Sequence, residues 1–195
     1  MKRIAVFGCA LCIFVFCGTA KASDNLFRGF ALKGQGGIFC SLVKSKDFPV
    51  GQQYAGAYGG SVGYYAARMS YFAFFGRHQT LYSAPRGLVM YRDYEGYECG
   101  VNVRRTLGEV KYLCAPFGVG AMLSGSYDRY ALVKQYMAYP SVGAEIFLSF
   151  SPVPTGKKIF PVEVSIPLIY AFRQSGHYFN VGISLQVGLC LPQKR

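Results

Sequence analysis

Two histidines and seven cysteines are the first groups in this chain to weigh for chemistry. His78 lies near Ser70, Thr80 and Ser83, and His177 near Ser175 and Glu163, so two hydrolytic pairs can be drawn. Catalysis requires a nucleophile, a base within hydrogen-bond reach and a group that orients the base. Proximity in sequence supplies none of that geometry. No catalytic residue is therefore assigned, and both histidines are expected in loops or at the surface. The cysteines offer no C-x-x-C, and the histidines lie far from them, which argues against zinc and leaves the chain with no expected metal or cofactor.

A second set of polar residues is more regular. Lys33, Glu98, Asn102, Arg104, Glu109, Lys111, Glu145, Glu163 and Gln186 each share a parity with small or polar residues, while apolar residues occupy the other parity. Three cations against four carboxylates is near balance. Buried charges need partners, so this set reads as an internal network of ion pairs and hydrogen bonds, not a lining of one sign.

The elements that would hold such a network are strands. From His177 to Leu189, Val181, Ile183, Leu185, Val187 and Leu189 fall on one face, and Asn180, Gly182, Ser184, Gln186 and Gly188 on the other. One face suits lipid and the other water. With 16 Tyr, 16 Phe and 24 Gly, and few Leu-rich stretches at helical spacing, the composition favours an all-β chain.

The amino terminus explains how the chain would be exported. Lys2 and Arg3 precede an apolar run from Ile4 to Phe16 that is too short to span a bilayer, and Ala20-Lys21-Ala22 forms a small-x-small cleavage site. Residues 1–22 are read as a cleaved signal peptide and 23–195 as one domain. The alternative is a lipoprotein site at Cys17. Loss of Lys2, Arg3 and Lys21 leaves 18 basic residues against 9 acidic ones. The basic residues fall in expected loops, turns or the tail, among them Lys44, Lys46, Arg77, Arg86, Arg129 and Lys134, and form no stripe with interleaved aromatics. That excludes nucleic acid as a partner and fits charge kept out of a lipid-facing band.

Asn180-x-Gly182-x-x-Leu185-x-Val187 resembles the signal that closes bacterial outer-membrane β-barrels, although its last two positions here are aliphatic and a tail to Arg195 follows. As a whole the chain resembles the small eight-stranded outer-membrane barrels of the OmpW, OmpX and OmpA-membrane-domain type. The resemblance implies a transmembrane antiparallel up-and-down barrel in the bacterial outer membrane. Its implied partners are outer-membrane lipid, the barrel-assembly machinery and, for an OmpW-like channel, small hydrophobic molecules. OmpX-like or OmpA-like structural or adhesive roles are the alternative. A soluble lipocalin-like carrier is a third reading, weakened because its Gly-x-Trp signature needs a Trp and this chain has none.

Strand limits follow from the alternation. Strands are expected from Phe27 to Leu42 and from Gln53 to Tyr65. Between Arg68 and Glu95 two readings stand open: a third strand over Arg68 to Phe75, or a second strand running on to Phe75 with a third over Gly87 to Arg92. Gly96 to Arg105 and Glu109 to Leu123 flank Thr106-Leu107-Gly108, read as a hairpin turn. That register sets Arg104 opposite Glu109, Asn102 opposite Lys111, and Cys99 opposite Cys114, so Cys99 and Cys114 are either disulfide-linked or free; Cys40 and Cys190 are expected to be unpaired. A loop over Ser124 to Tyr139, a sixth strand to Phe150 and a seventh from Phe160 to Phe172 complete the wall. The absent Trp leaves an interfacial girdle to Tyr97, Tyr112, Tyr170 and Phe172.

Overall fold

The computed structural model describes residues 28–45, 51–83, 94–113, 115–130, 135–150, 154–155, 158–173 and 176–192. The expected signal peptide, Cys17, Cys114 and Ser175 lie outside these. The strands are β1 (Gly29–Ser45), β2 (Gly51–Tyr65), β3 (Met69–Ser83), β4 (Tyr94–Val110), β5 (Ala115–Tyr130), β6 (Gln135–Phe150), β7 (Pro154–Thr155), β8 (Lys158–Ile159), β9 (Val162–Arg173) and β10 (Gly176–Pro192). All pairings are antiparallel, and β1 pairs with β10, so β1 to β6, β9 and β10 close an eight-stranded barrel. The short β7 and β8 form a small hairpin whose Ile159 pairs with Cys190. No helix among the described residues is long and apolar enough to cross a membrane; strands cross by a different rule.

The period-two pattern determines which face each residue takes. On β10, Leu185 and Val187 are 51% and 49% exposed, while Ser184 and Gln186 on the same strand are 9% and 6% exposed. Phe30, Leu32 and Ile38 on β1, Phe75 on β3, Val101 on β4, Leu123 on β5 and Ile146 on β6 are likewise exposed. The interior instead collects Lys33, Asn102, Arg104, Glu145, Glu163 and a series of serines. A lipocalin-like carrier has its apolar face inside. Here the faces are reversed, as a barrel in lipid requires.

Several limits differ from expectation, each for a local reason. β3 reaches Ser83, beyond either reading of that segment. β5 and β6 extend into the expected loop because Ser124 and Ser126 stay buried while Leu123 and Tyr127 stay exposed, so the alternation continues. The expected seventh strand breaks at Phe160 and Pro161: a proline has no N–H for the ladder, and the Pro161 carbonyl accepts the Gly188 N–H at 3.0 Å.

The largest difference is at Thr106-Leu107-Gly108. β4 runs through it, and the turn falls at the 3₁₀ segment Lys111–Leu113. Gly108 marks a register shift in the ladder, where the Phe117 ring packs so close that a Cβ would sit 2.8 Å from it. Arg104 therefore faces Gly120 and Cys99 faces Gly125. Cys99 is an exposed thiol opposite Gly125, so the register that set it against Cys114 does not hold, and Cys114 itself lies outside the described residues.

The two faces make a direct prediction. Leu185→Arg places a cation on the outer face at a cost of about 2–4 kcal/mol near a bilayer midplane. It should abolish the heat-modifiable band that a folded barrel gives on gels, whereas Gln186→Ser should keep it.

Candidate functional site in the barrel lumen

Paired charges cross the lumen. Lys33 on β1, Arg104 on β4, Glu145 on β6 and Glu163 on β9 are all buried, and the two cations have small neighbours on the adjacent strands: Lys33 faces Gly188 and Ser61, and Arg104 faces Ser70 and Gly120. Two of these small residues have to be glycine. A Cβ on Gly188 would meet Lys33 Cγ at 2.5 Å, and one on Gly120 would meet Glu145 Oε1 at 2.8 Å.

Glu163 is the hub. Its Oε2 accepts from Lys33 Nζ at 2.7 Å and from an Arg104 terminal nitrogen at 2.7 Å. Its Oε1 accepts from Tyr65 Oη at 2.5 Å and Ser149 Oγ at 3.0 Å. Glu145 takes a two-pronged contact from the Arg104 guanidinium and a hydrogen bond from Asn102 Nδ2 at 2.5 Å. Such paired, charge-assisted contacts are the strong kind, and they leave two cations against two carboxylates.

Aromatic rings supply the remaining faces. Lys33 Nζ sits 3.6 Å from the Phe72 ring centre, and the Arg104 guanidinium lies 5.0 Å from that of Phe147. Tyr65 meets Phe72 edge-on, with ring centres 5.1 Å apart. Cations held between carboxylates and ring faces keep partners in every direction where water is excluded.

Beyond this floor, towards the far end of the barrel, is a cavity of about 60 Å³ whose lining includes Gln35, Ser61, Glu98, Asn102, Ser165 and Gln186. Ser61 Oγ, Asn102 Oδ1 and Ser165 Oγ are buried without a hydrogen-bond partner. The space suits a few waters and nothing of drug size. Glu98 points into it and accepts from Ser124 Oγ.

Of the nine residues expected to form the network, Lys33, Asn102, Arg104, Glu145 and Glu163 meet directly. Glu98 and Gln186 line the cavity above them. Glu109 does not join, being exposed past the Gly108 shift; Lys111 stands in the 3₁₀ turn, its side chain outside the described residues. The pairing of Arg104 with Glu109 is thus replaced by Arg104 with Glu145 and Glu163. Sequence reasoning missed Tyr65, Phe72 and Phe147 as members. Tyr65 shares the parity of Ser61 and Phe147 that of Glu145, so both were legible; Phe72 lay in the ambiguous segment.

Ser70 and Glu163 stand away from the histidines they were drawn with, while the side chains of Thr80 and Ser83 and the whole of Ser175 lie outside the described residues. Ser70 and His78 are eight residues apart on one strand, about 26 Å at the usual rise. His177 pairs with Phe172 and Glu163 with Gln186, at opposite ends of the β9–β10 ladder. Among the described residues no group of three His, Cys, Asp or Glu is placed to hold a metal ion. On β10, Asn180 lines a second small cavity with Glu98 and Ser126, Gly182 lies beneath the Phe39 ring, and Leu185 and Val187 point outward.

A closed eight-stranded wall, apolar outside and charged within, can be set beside known structures. Neisserial surface protein A superposes with a TM-score of 0.59 at 14% identity, over 85% of this chain and 97% of that one. The fold is that of a small outer-membrane barrel. Ail, the attachment invasion locus protein of Yersinia pestis, matches at TM-score 0.43 and 14% identity over 83% of this chain and 98% of that chain. OprG from Pseudomonas aeruginosa matches at 0.39 and 10%, over 84% and 95%. No protein-family model matches the chain, and no curated protein matches it in sequence.

The geometry separates residues that sequence alone grouped together. Glu163→Gln should lower unfolding stability in lipid vesicles by about 3–5 kcal/mol, because it strips a buried charge from two cations. Glu109→Gln should stay within about 0.5 kcal/mol of the parent, as exposed substitutions do. Urea titration followed by tyrosine fluorescence measures both.

Proposed function

We propose that this protein is an integral outer-membrane barrel that serves as a sealed anchor, holding its outer end at the cell surface instead of passing solutes. The observation that carries this reading is the Lys33–Glu163–Arg104–Glu145 cluster across the lumen. A conduit needs a continuous path, and four mutually paired charges with two aromatic rings fill this one. The exposed apolar wall, the amino-terminal export signal and a fold shared with a neisserial surface protein support the membrane location.

On this reading the partners are outer-membrane lipid along the belt and the barrel-assembly machinery, which would read Asn180, Gly182, Leu185 and Val187 on the closing strand. The OmpW-like alternative, a narrow route for small hydrophobic compounds, asks for an apolar lumen large enough for a ligand. The cavity of about 60 Å³, floored by Lys33, Arg104 and Glu145, speaks for the anchoring role instead.

In planar bilayers the purified barrel should give only small, rare current steps. Arg104→Gln should raise the leak, since it leaves Glu145 and Glu163 short of a partner. A large, steady wild-type conductance would reject the sealed-anchor reading.

A further inference from the structure

The two strands that close the barrel, β1 and β10, trace its interior layer by layer, because each turns every second residue inward. Nearest the chain ends Ala31 faces Cys190, and these two join Tyr65 and Phe72 in a buried apolar cluster against which Ile159 packs. That layer is dry. Next, Lys33 faces Gly188 at the level of its ion pair with Glu163. Then come Gln35 with Gln186 and Gly37 with Ser184, all four lining the cavity of about 60 Å³. Phe39 follows and lines both this cavity and a second of about 40 Å³, to which Asn180 and Ser126 belong. Away from the chain ends the interior therefore turns from apolar to charged to polar.

Three groups decide what the first cavity holds. Ser61 Oγ, Asn102 Oδ1 and Ser165 Oγ have no hydrogen-bond partner among the described residues, and their side chains belong to residues only 6%, 5% and 1% exposed. All three residues line the cavity. Buried polar atoms need partners. Asn102 Nδ2 is spent on Glu145 at 2.5 Å, so its Oδ1 asks for a donor, whereas the serine hydroxyls both give and take.

Charge settles the class of ligand. Lys33 and Arg104 in the cavity lining oppose a bound cation, and Glu98 and Glu145 oppose a bound anion. A neutral molecule that donates and accepts is the match, and the smallest is water. At ~15 Å³ for each water, about 60 Å³ takes about four.

We propose that the half of the lumen beyond the charges is a blind water-binding site. Its waters bridge Ser61, Asn102 and Ser165, enter from the outer end alone through the second cavity, and go no further than Lys33 and Arg104. This deepens the sealed-anchor reading and rests on it, with the chain ends on the periplasmic side. It places the seal at one layer and leaves the outer half of the lumen wet.

The test is thiol modification of the folded barrel in detergent micelles by methyl methanethiosulfonate, a small neutral reagent, read by mass spectrometry. With Cys40, Cys99 and Cys114 replaced by Ser, Cys190 remains as the probe below the charges. Ser126→Cys and Ser184→Cys, each combined with Cys190→Ala, probe the second and first cavities. Both should be modified, Ser126→Cys the faster, while Cys190 should react only after urea unfolds the barrel. In the unsubstituted chain, NMR should show magnetisation passing from water to the side-chain protons of Ser61 and Ser165 and none to those of Ala31. A Ser184→Cys barrel that keeps its heat-modifiable band but stays unmodified, or no transfer to Ser61 and Ser165, would overturn the water site and leave the seal standing. Ser184→Cys reacting ahead of Ser126→Cys would overturn entry from the outer end. Modification of Cys190 in the folded barrel would overturn the seal itself.

Discussion

A carboxylate sealed from water has to be given donors, and Glu163 is given four. They come from Lys33 on β1, Tyr65 on β2, Arg104 on β4 and Ser149 on β6, while Glu163 itself stands on β9. Five of the eight wall strands therefore meet at one group. Ladder hydrogen bonds join each strand only to its neighbours, whereas this contact reaches across the lumen. It fixes which residues near it have to be small, which rings have to face inward, and how much space is left above.

The wall separates two environments with a single layer of backbone. Outside, Leu, Ile, Val and aromatic side chains are displayed because lipid costs them nothing; inside, the same strands turn polar groups towards one another. A water-soluble barrel would bury the first set and expose the second. The charged interior is thus the consequence of an apolar exterior, and it holds only because each charge finds an opposite one at hydrogen-bond distance.

Much of this was legible in the sequence. The alternation of β10, of β6 and of the apolar half of β1 identifies the faces, and Lys33, Asn102, Arg104, Glu145 and Glu163 follow from parity alone. What parity cannot give is the partner across the lumen, since Arg104 and Glu163 lie on strands that are not neighbours. The error at Thr106-Leu107-Gly108 has a related cause: Gly108 in a polar run reads equally as a turn or as a bulge, and the choice depends on Phe117 packing over it from β5. Once the bulge is read as a turn, Glu109 is drawn inward and Cys99 is set against the wrong neighbour. The strand ends were hidden for a different reason: β5 and β6 keep alternating beyond Ser124 with serines and tyrosines, which also suit a loop.

The claim that Glu163 ties the wall together is tested most directly by a double-mutant cycle in lipid vesicles. Lys33→Met, Glu163→Gln and the pair together would be unfolded by urea. The account predicts a coupling of at least about 1.5 kcal/mol, the lower end for close charge pairs. Effects that add to within about 0.5 kcal/mol would contradict it, since they would mean that the two groups hold the barrel independently.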